Sequence, residues 1–153
     1  MNDTGIFHRW RSWSPYLLGI LRIVIGFLFM EYGTAKLFAF PAALMPGGAT
    51  APAGSLPWFA GVLEAFGGAF ILLGLFTRPV AFILSGEMAF AYFIGHAHRG
   101  FWPVLNQGAP AVFYCFVFLY FSSAGAGAFG IDALRGRAAE PPLAAPSATR
   151  PSR

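Results

Sequence analysis

The chain is 153 residues long, 57% hydrophobic and 18% aromatic, with only 10% charged residues and a formal charge of +4. A soluble domain of this length cannot hide that much apolar surface, so an integral membrane protein is expected. The lone Cys115 excludes an internal disulfide framework and a CxxC dithiol, and no Cys or His spacing suits a metal site. The basic residues sit at the tails and helix ends instead of forming a stripe, which argues against nucleic acid and for an anionic lipid surface.

Residues 1–15, MNDTGIFHRWRSWSP, are polar and basic. The apolar run behind them is too long, with Arg22 and Glu31 inside it, for a cleavable signal peptide, and reads as a retained first span. About 20 mainly apolar residues cross the hydrocarbon as a helix. Segments of that length bounded by Pro, Gly or charge predict four spans, at about 16–38, 57–76, 79–96 and 109–129. The first is entered after Pro15 and the second at Pro57, a residue suited to a helix start.

Between the first two spans the uncharged AFPAALMPGGATAPAGSL holds too many breakers for a regular helix. The turn Thr77-Arg78-Pro79 parts the second from the third, and the aromatic AHRGFWPVLNQG parts the third from the fourth. Residues 135–153, rich in Arg, Pro, Ala and Ser, read as a disordered tail. The fold class is therefore all-α, a four-helix membrane bundle.

Four spans place both termini and the 77–78 turn on one side, which collects Arg9, Arg11, Arg78, Arg135, Arg137, Arg150 and Arg153. The other side has Arg99 and, at its edge, Lys36. The positive-inside rule then makes both termini cytoplasmic, in a bacterial inner membrane. Trp10, Trp13, Trp58, Trp102 and Tyr16 read as interfacial anchors.

Charges at membrane depth are costly, so they face a bundle interior, find partners or stay neutral. The candidates are Arg22, Glu31, Lys36, Glu64 and Glu87. Counted from the helix ends, Arg22 and Glu87 lie at similar depth, roughly 9–12 Å in, and form a plausible ion pair. At about 100° per residue, Arg22, Gly26, Phe29, Gly33 and Lys36 share one face while Glu31 points away from it. Lys36 is then near enough to the end to snorkel, and Glu31 must seek another helix.

Glu64 shares its face with Gly61 and Gly68, small residues that suit a helix contact. Three glutamates face one committed arginine, so Glu31, Glu64 and Glu87 are candidates either for holding a proton or for bonding to Tyr32, Thr34 or Tyr92. His96 and His98 point nearly opposite ways and read as a solvated cluster where the third span exits. No facing histidines suit a haem held between spans, and FSSAGAGAFG lacks the context of a nucleotide loop.

These residues carry a resemblance over nearly all of 16–134. LRIVIGFLFMEYGTAKL, GVLEAFGGAFILLGLFTRPVA and GAGAFGIDAL resemble the DoxX family of small four-helix bacterial membrane proteins. The positions in the family pattern include Arg22, Gly33, Lys36, Glu64, Gly68, Arg78 and Asp132. Members often carry an acid soon after the Asn-Gly loop before the last span, where this chain has Ala109 and Pro110.

The family name comes from the small subunit of an archaeal thiosulfate:quinone oxidoreductase, so the resemblance implies a quinone-interacting or accessory subunit of a membrane redox system. No covalently bound cofactor is implied; a quinone is the implied ligand, with electrons supplied by a redox partner. The same residues leave open a proton- or cation-linked transporter, and a non-catalytic scaffold for a soluble oxidoreductase.

Overall fold

The computed structural model describes the backbone of residues 4–139 and the side chains of residues 11–135. The chain is all-helical, with α1 at Thr4–Phe38, α2 at Leu56–Leu73, α3 at Thr77–Gly95, α4 at Ala109–Ala124 and a short α5 at Ile131–Ala139. Single 3-10 turns lie at Pro46–Gly48 and Ala97–Arg99. α1 to α3 contain segments long and apolar enough to cross a membrane, and α4 is a shorter apolar helix. Leu63, Phe66, Phe82, Ile83, Phe90 and Phe116 are exposed around the bundle, as lipid-facing side chains must be.

α1 packs mainly on α2, and α3 on α4. The first contact is a seam of glycines. A Cβ on Gly33 would lie 2.7 Å from the Ala65 Cα, one on Gly26 would lie 2.9 Å from the Leu72 Cα, and one on Gly68 the same distance from the Met30 Cα. Without those Cβ atoms the two backbones meet directly, the contact that helices use in lipid, where water cannot drive association. Phe29 then reaches the interior, 4.7 Å edge-on from the Phe118 ring, within a core of Ile25, Ile71, Leu84, Met88, Tyr114 and Phe121.

The helix ends differ in part from the sequence reading. α1 starts at Thr4 and runs through Pro15, because one missing N–H at an exposed position does not stop a helix; the Pro15 carbonyl accepts from Ala128 N at 2.8 Å. α2 is capped by Ser55, whose hydroxyl accepts from Trp58 N, and stops at the left-handed Gly74 (φ 66°) instead of reaching 76. α4 ends at Ala124, not 129, because Gly125 and Gly127 turn the chain out of the helix with φ of 84° and 64°.

The tail beginning at 135, expected to be disordered, instead continues α5 to Ala139; residues 140–153 lie outside the described ones. Among the anchors, Trp13, Tyr16 and Trp102 are exposed and Trp58 is half-buried, while Trp10 lies outside the described side chains, as do Arg9, Arg137, Arg150 and Arg153.

Asp132, on α5 outside the spans, holds α3 at its start. Its carboxylate oxygens accept from Phe76 N at 2.9 Å and Thr77 N at 2.8 Å, serving amides that a helix start leaves without partners. Partial burial pulls the Asp132 carboxyl upward, but the Thr77 and Phe76 amides and the Arg135 charge outweigh it and hold it below its ordinary value. The cap therefore stabilises the fold above the ordinary carboxylate range and is lost as pH falls through the lowered value.

Replacing Asp132 by Asn should lower detergent-state stability at neutral pH by about 1 kcal/mol. In thermal unfolding followed by circular dichroism, the gap from wild type should close below about pH 4. For the seam, Gly33→Ala should cost about 2 kcal/mol. Gly86→Ala, where an added Cβ meets nothing within 4 Å, should leave stability unchanged or slightly raised. Equal melting points for the two alanine variants would contradict the seam.

Candidate functional site

The ionisable residues of the spans divide between the two ends of the bundle. At the end carrying the termini, Arg22 is fully buried and its guanidinium serves carbonyls. Nε donates to Ala126 O at 2.9 Å, and one terminal nitrogen donates to Ile71 O at 2.6 Å and Leu72 O at 2.5 Å. The last carbonyls of α2 lack their usual partners four residues on; Ile71 O also accepts from Gly74 N at 3.0 Å, and a cation placed there meets the remaining lone pairs and the negative end of the helix dipole.

The expected Arg22–Glu87 ion pair is therefore not formed. α1 projects past the bundle, so Arg22 lies level with the α2–α3 turn at Gly74. Glu87 stands ten residues beyond the start of α3, about 15 Å deeper. Arg78 repeats the Arg22 role by donating to Ser122 O and Ser123 O at the end of α4.

At the opposite end, Lys36 and Glu64 form an ion pair that the separate treatment of the two spans did not anticipate. Lys36 Nζ lies 2.5 Å from Glu64 Oε1 and 2.7 Å from Oε2. Lys36 does not snorkel alone, because Gly61 admits its stem to α2: a Cβ at Gly61 would lie 3.1 Å from the Lys36 Cβ. The Glu64 side chain is 5% exposed and that of Lys36 22%, so the pair is drier at the carboxylate. It is the one ion pair among the described residues.

The pair borders a cavity of about 240 Å³ whose walls include Phe29, Tyr32, Met88, Ala91, His96, Pro110, Ala111 and Tyr114. Phe29 and Tyr114 stand against each other with centroids 5.0 Å apart. His96, the residue after α3, has Nδ1 at 3.0 Å from the Asn106 carbonyl oxygen. A carbonyl only accepts, so Nδ1 carries hydrogen and Nε2 keeps a lone pair in the neutral ring. Asn106 is itself buried and tied to Gly100 O and Gly108 N, both at 2.8 Å, which fixes the loop that positions His96.

Glu87 lies within electrostatic reach of Glu64 and Lys36, and both its carboxyl oxygens are buried without a hydrogen-bond partner among the described residues. Glu31 faces neither the pair nor α2. It is half-buried in a second groove formed by α1, Tyr114 and the returning segment 41–44, and the Thr34 hydroxyl bonds to its backbone carbonyl, not its side chain. The expected positions thus separate. Lys36 and Glu64 make the site, Glu87 adjoins it, Gly33 and Gly68 hold it closed, and Arg22, Arg78 and Asp132 serve the far end.

Sequence reasoning passed over Tyr32 and Tyr114 as wall residues and read His96 with His98 as one solvated cluster. His98 is exposed, whereas His96 turns toward the cavity. No local signal marks that difference, since it depends on where Asn106 returns.

Removing one partner of the pair leaves a buried charge alone. Lys36→Met should destabilise by about 3 kcal/mol, and the double variant Lys36→Met with Glu64→Leu should recover most of it. Additive losses in a double-mutant cycle read by thermal unfolding would mean that the two side chains do not interact.

Comparison with known proteins bears on the same residues. The DoxX family model matches residues 17–97, slightly over half of the chain, from the start of the seam to His96. The chain is 47% identical over 124 residues to a Haemophilus influenzae protein described as uncharacterized, covering 79% of this chain and 92% of that one. No solved structure matches. With an all-helical bundle, apolar helices long enough to cross a bilayer and the family match spanning the ion pair, the chain is a membrane protein that belongs to the DoxX family.

Proposed function

We propose that the Lys36–Glu64 cavity receives the head group of a quinone and that the chain serves as a quinone-interacting subunit of a membrane redox system. The observation that carries this reading is a buried ion pair opening on a small cavity with aromatic and apolar walls. A quinone ring asks for flat apolar contact and for hydrogen-bond donors at its carbonyl oxygens. Phe29, Tyr114, Met88 and Ala111 supply the first, and the Lys36 ammonium and the tyrosine hydroxyls supply the second.

The ligand's chemistry is the uptake of two electrons and two protons as its carbonyls become hydroxyls. The electrons come from a redox partner, since no flavin, iron–sulfur or haem motif is present in the sequence. The protons are this chain's task. Glu64 holds one acceptor site against Lys36, Glu87 stands beside it without a hydrogen-bond partner among the described residues, and His96 lines the cavity next to the loop that Asn106 holds. With both termini cytoplasmic, as the distribution of arginine favours, that loop end faces the outside of the inner membrane.

The Glu87 carboxyl, without a hydrogen-bond partner among the described residues, favours a second reading, a proton-linked transporter with Glu64 and Glu87 along its path. The two readings part in one experiment on protein purified in mild detergent. On the first, co-extracted ubiquinone or menaquinone is retained, and Glu64→Gln reduces it by about tenfold. Lack of retained quinone in wild type, together with proton flux in proteoliposomes that Glu64→Gln abolishes, would replace it with the second.

A further inference from the structure

The groove that holds Glu31 is the neighbour of the ion-pair cavity. Its volume is about 360 Å³, and its walls are Leu28, Ala35, Pro41, Ala42 and Leu44, with Glu31 as the charged exception. Tyr32 and Tyr114 line both this groove and the cavity. Their rings meet edge to face with centroids 6.0 Å apart, so a pair of aromatic side chains is the divide. Glu31 and Glu64 both lie within electrostatic reach of the Tyr114 phenol.

Resting on the head-group reading above, we infer that this groove takes the hydrocarbon tail of the ligand whose head fills the cavity. The ligand class is then a polar ring on a long isoprenoid or alkyl chain that enters sideways from the lipid. The occupant follows from continuity. The cavity supplies donors and a carboxylate, the groove supplies aliphatic wall, and the two share the residues where a ring would join its chain. Leu28 and Leu44 are 41% and 54% exposed, so the groove is open on its outer side to the bilayer instead of being sealed by protein. In lipid a tail gains packing contacts, not release from water, so the expected preference is moderate.

The test uses two probes on the full chain in detergent, a tail-less dimethoxy-methyl benzoquinone and its decyl derivative. Binding is read by quenching of tryptophan fluorescence, with concentrations corrected for partition into micelles. Wild type should bind the decyl probe about tenfold more tightly than the tail-less one. Ala42→Phe, which fills the groove from an exposed loop position, should abolish that preference and leave the tail-less affinity within about twofold. Leu44→Glu, at a second exposed position, should do the same.

Equal affinities for the two probes in wild type, the result if a phospholipid acyl chain fills the groove, would overturn the inference. So would a tail preference that survives both substitutions. In either case tail-less binding that Lys36→Met weakens would leave the head-group reading standing. Absence of binding by both probes would overturn the head-group reading and the tail groove with it.

Discussion

The contact between α1 and α2 without intervening side chains is the constraint on which the remaining geometry depends. Gly26 and Gly33 on one helix and Gly61 and Gly68 on the other, each pair one heptad apart, bring the backbones together. Two cations of α1 lie at the two ends of that seam, Arg22 before Gly26 and Lys36 after Gly33. Because the helices run antiparallel, one seam delivers Arg22 to the last carbonyls of α2 and Lys36 to Glu64 in its middle. A wider spacing would leave both cations in lipid, where an unpaired charge is costly.

The end carrying the termini shows how irregular backbone is tolerated near a bilayer. α4 has 16 residues, about 24 Å of helix, which falls short of the roughly 30 Å of hydrocarbon. The chain beyond it is non-helical, and its polar groups need partners within the protein. Arg22 takes Ala126 O, Arg78 takes Ser122 O and Ser123 O, Pro15 O takes the Ala128 amide, and Asp132 takes the amides that open α3. Three positions of the family pattern are thus accounted for by backbone satisfaction, which needs no catalytic role.

The all-helical membrane class and the glycine faces were legible because each rests on properties of one segment: apolar length and azimuth. Gly61, Glu64 and Gly68 were read together as a contact face, and that face is the one α1 occupies. Pairing between helices was not legible. It depends on relative height, which sequence supplies only through assumed helix ends, and the Pro15 boundary set Arg22 too deep. The same limit hid the Lys36–Glu64 pair, although both residues and their faces had been singled out. His96 and Tyr114 needed more still, since they join the site through the loop that Asn106 holds.

An ion pair at this depth is not a natural choice for stability. Replacing such a pair by apolar residues of similar volume is often neutral or favourable, because two desolvation penalties offset the attraction. The far end shows that this fold can use buried charge for structure alone, since Arg22 replaces missing backbone partners there. Lys36 and Glu64 replace none: Glu64 lies inside regular helix, and Lys36, although in the last turn of α1, gives its ammonium to the Glu64 carboxylate instead of a backbone carbonyl. Around them stand a neighbouring carboxyl without a hydrogen-bond partner among the described residues, a histidine held by the Asn106 carbonyl and aromatic walls with space between them. Bonds between Lys36 and both Glu64 oxygens keep those charges satisfied in lipid. On the head-group reading proposed above, each hydrogen bond shifted from Glu64 to a ligand carbonyl would free a carboxylate oxygen to take a proton, which would couple ligand capture to proton loading at this pair.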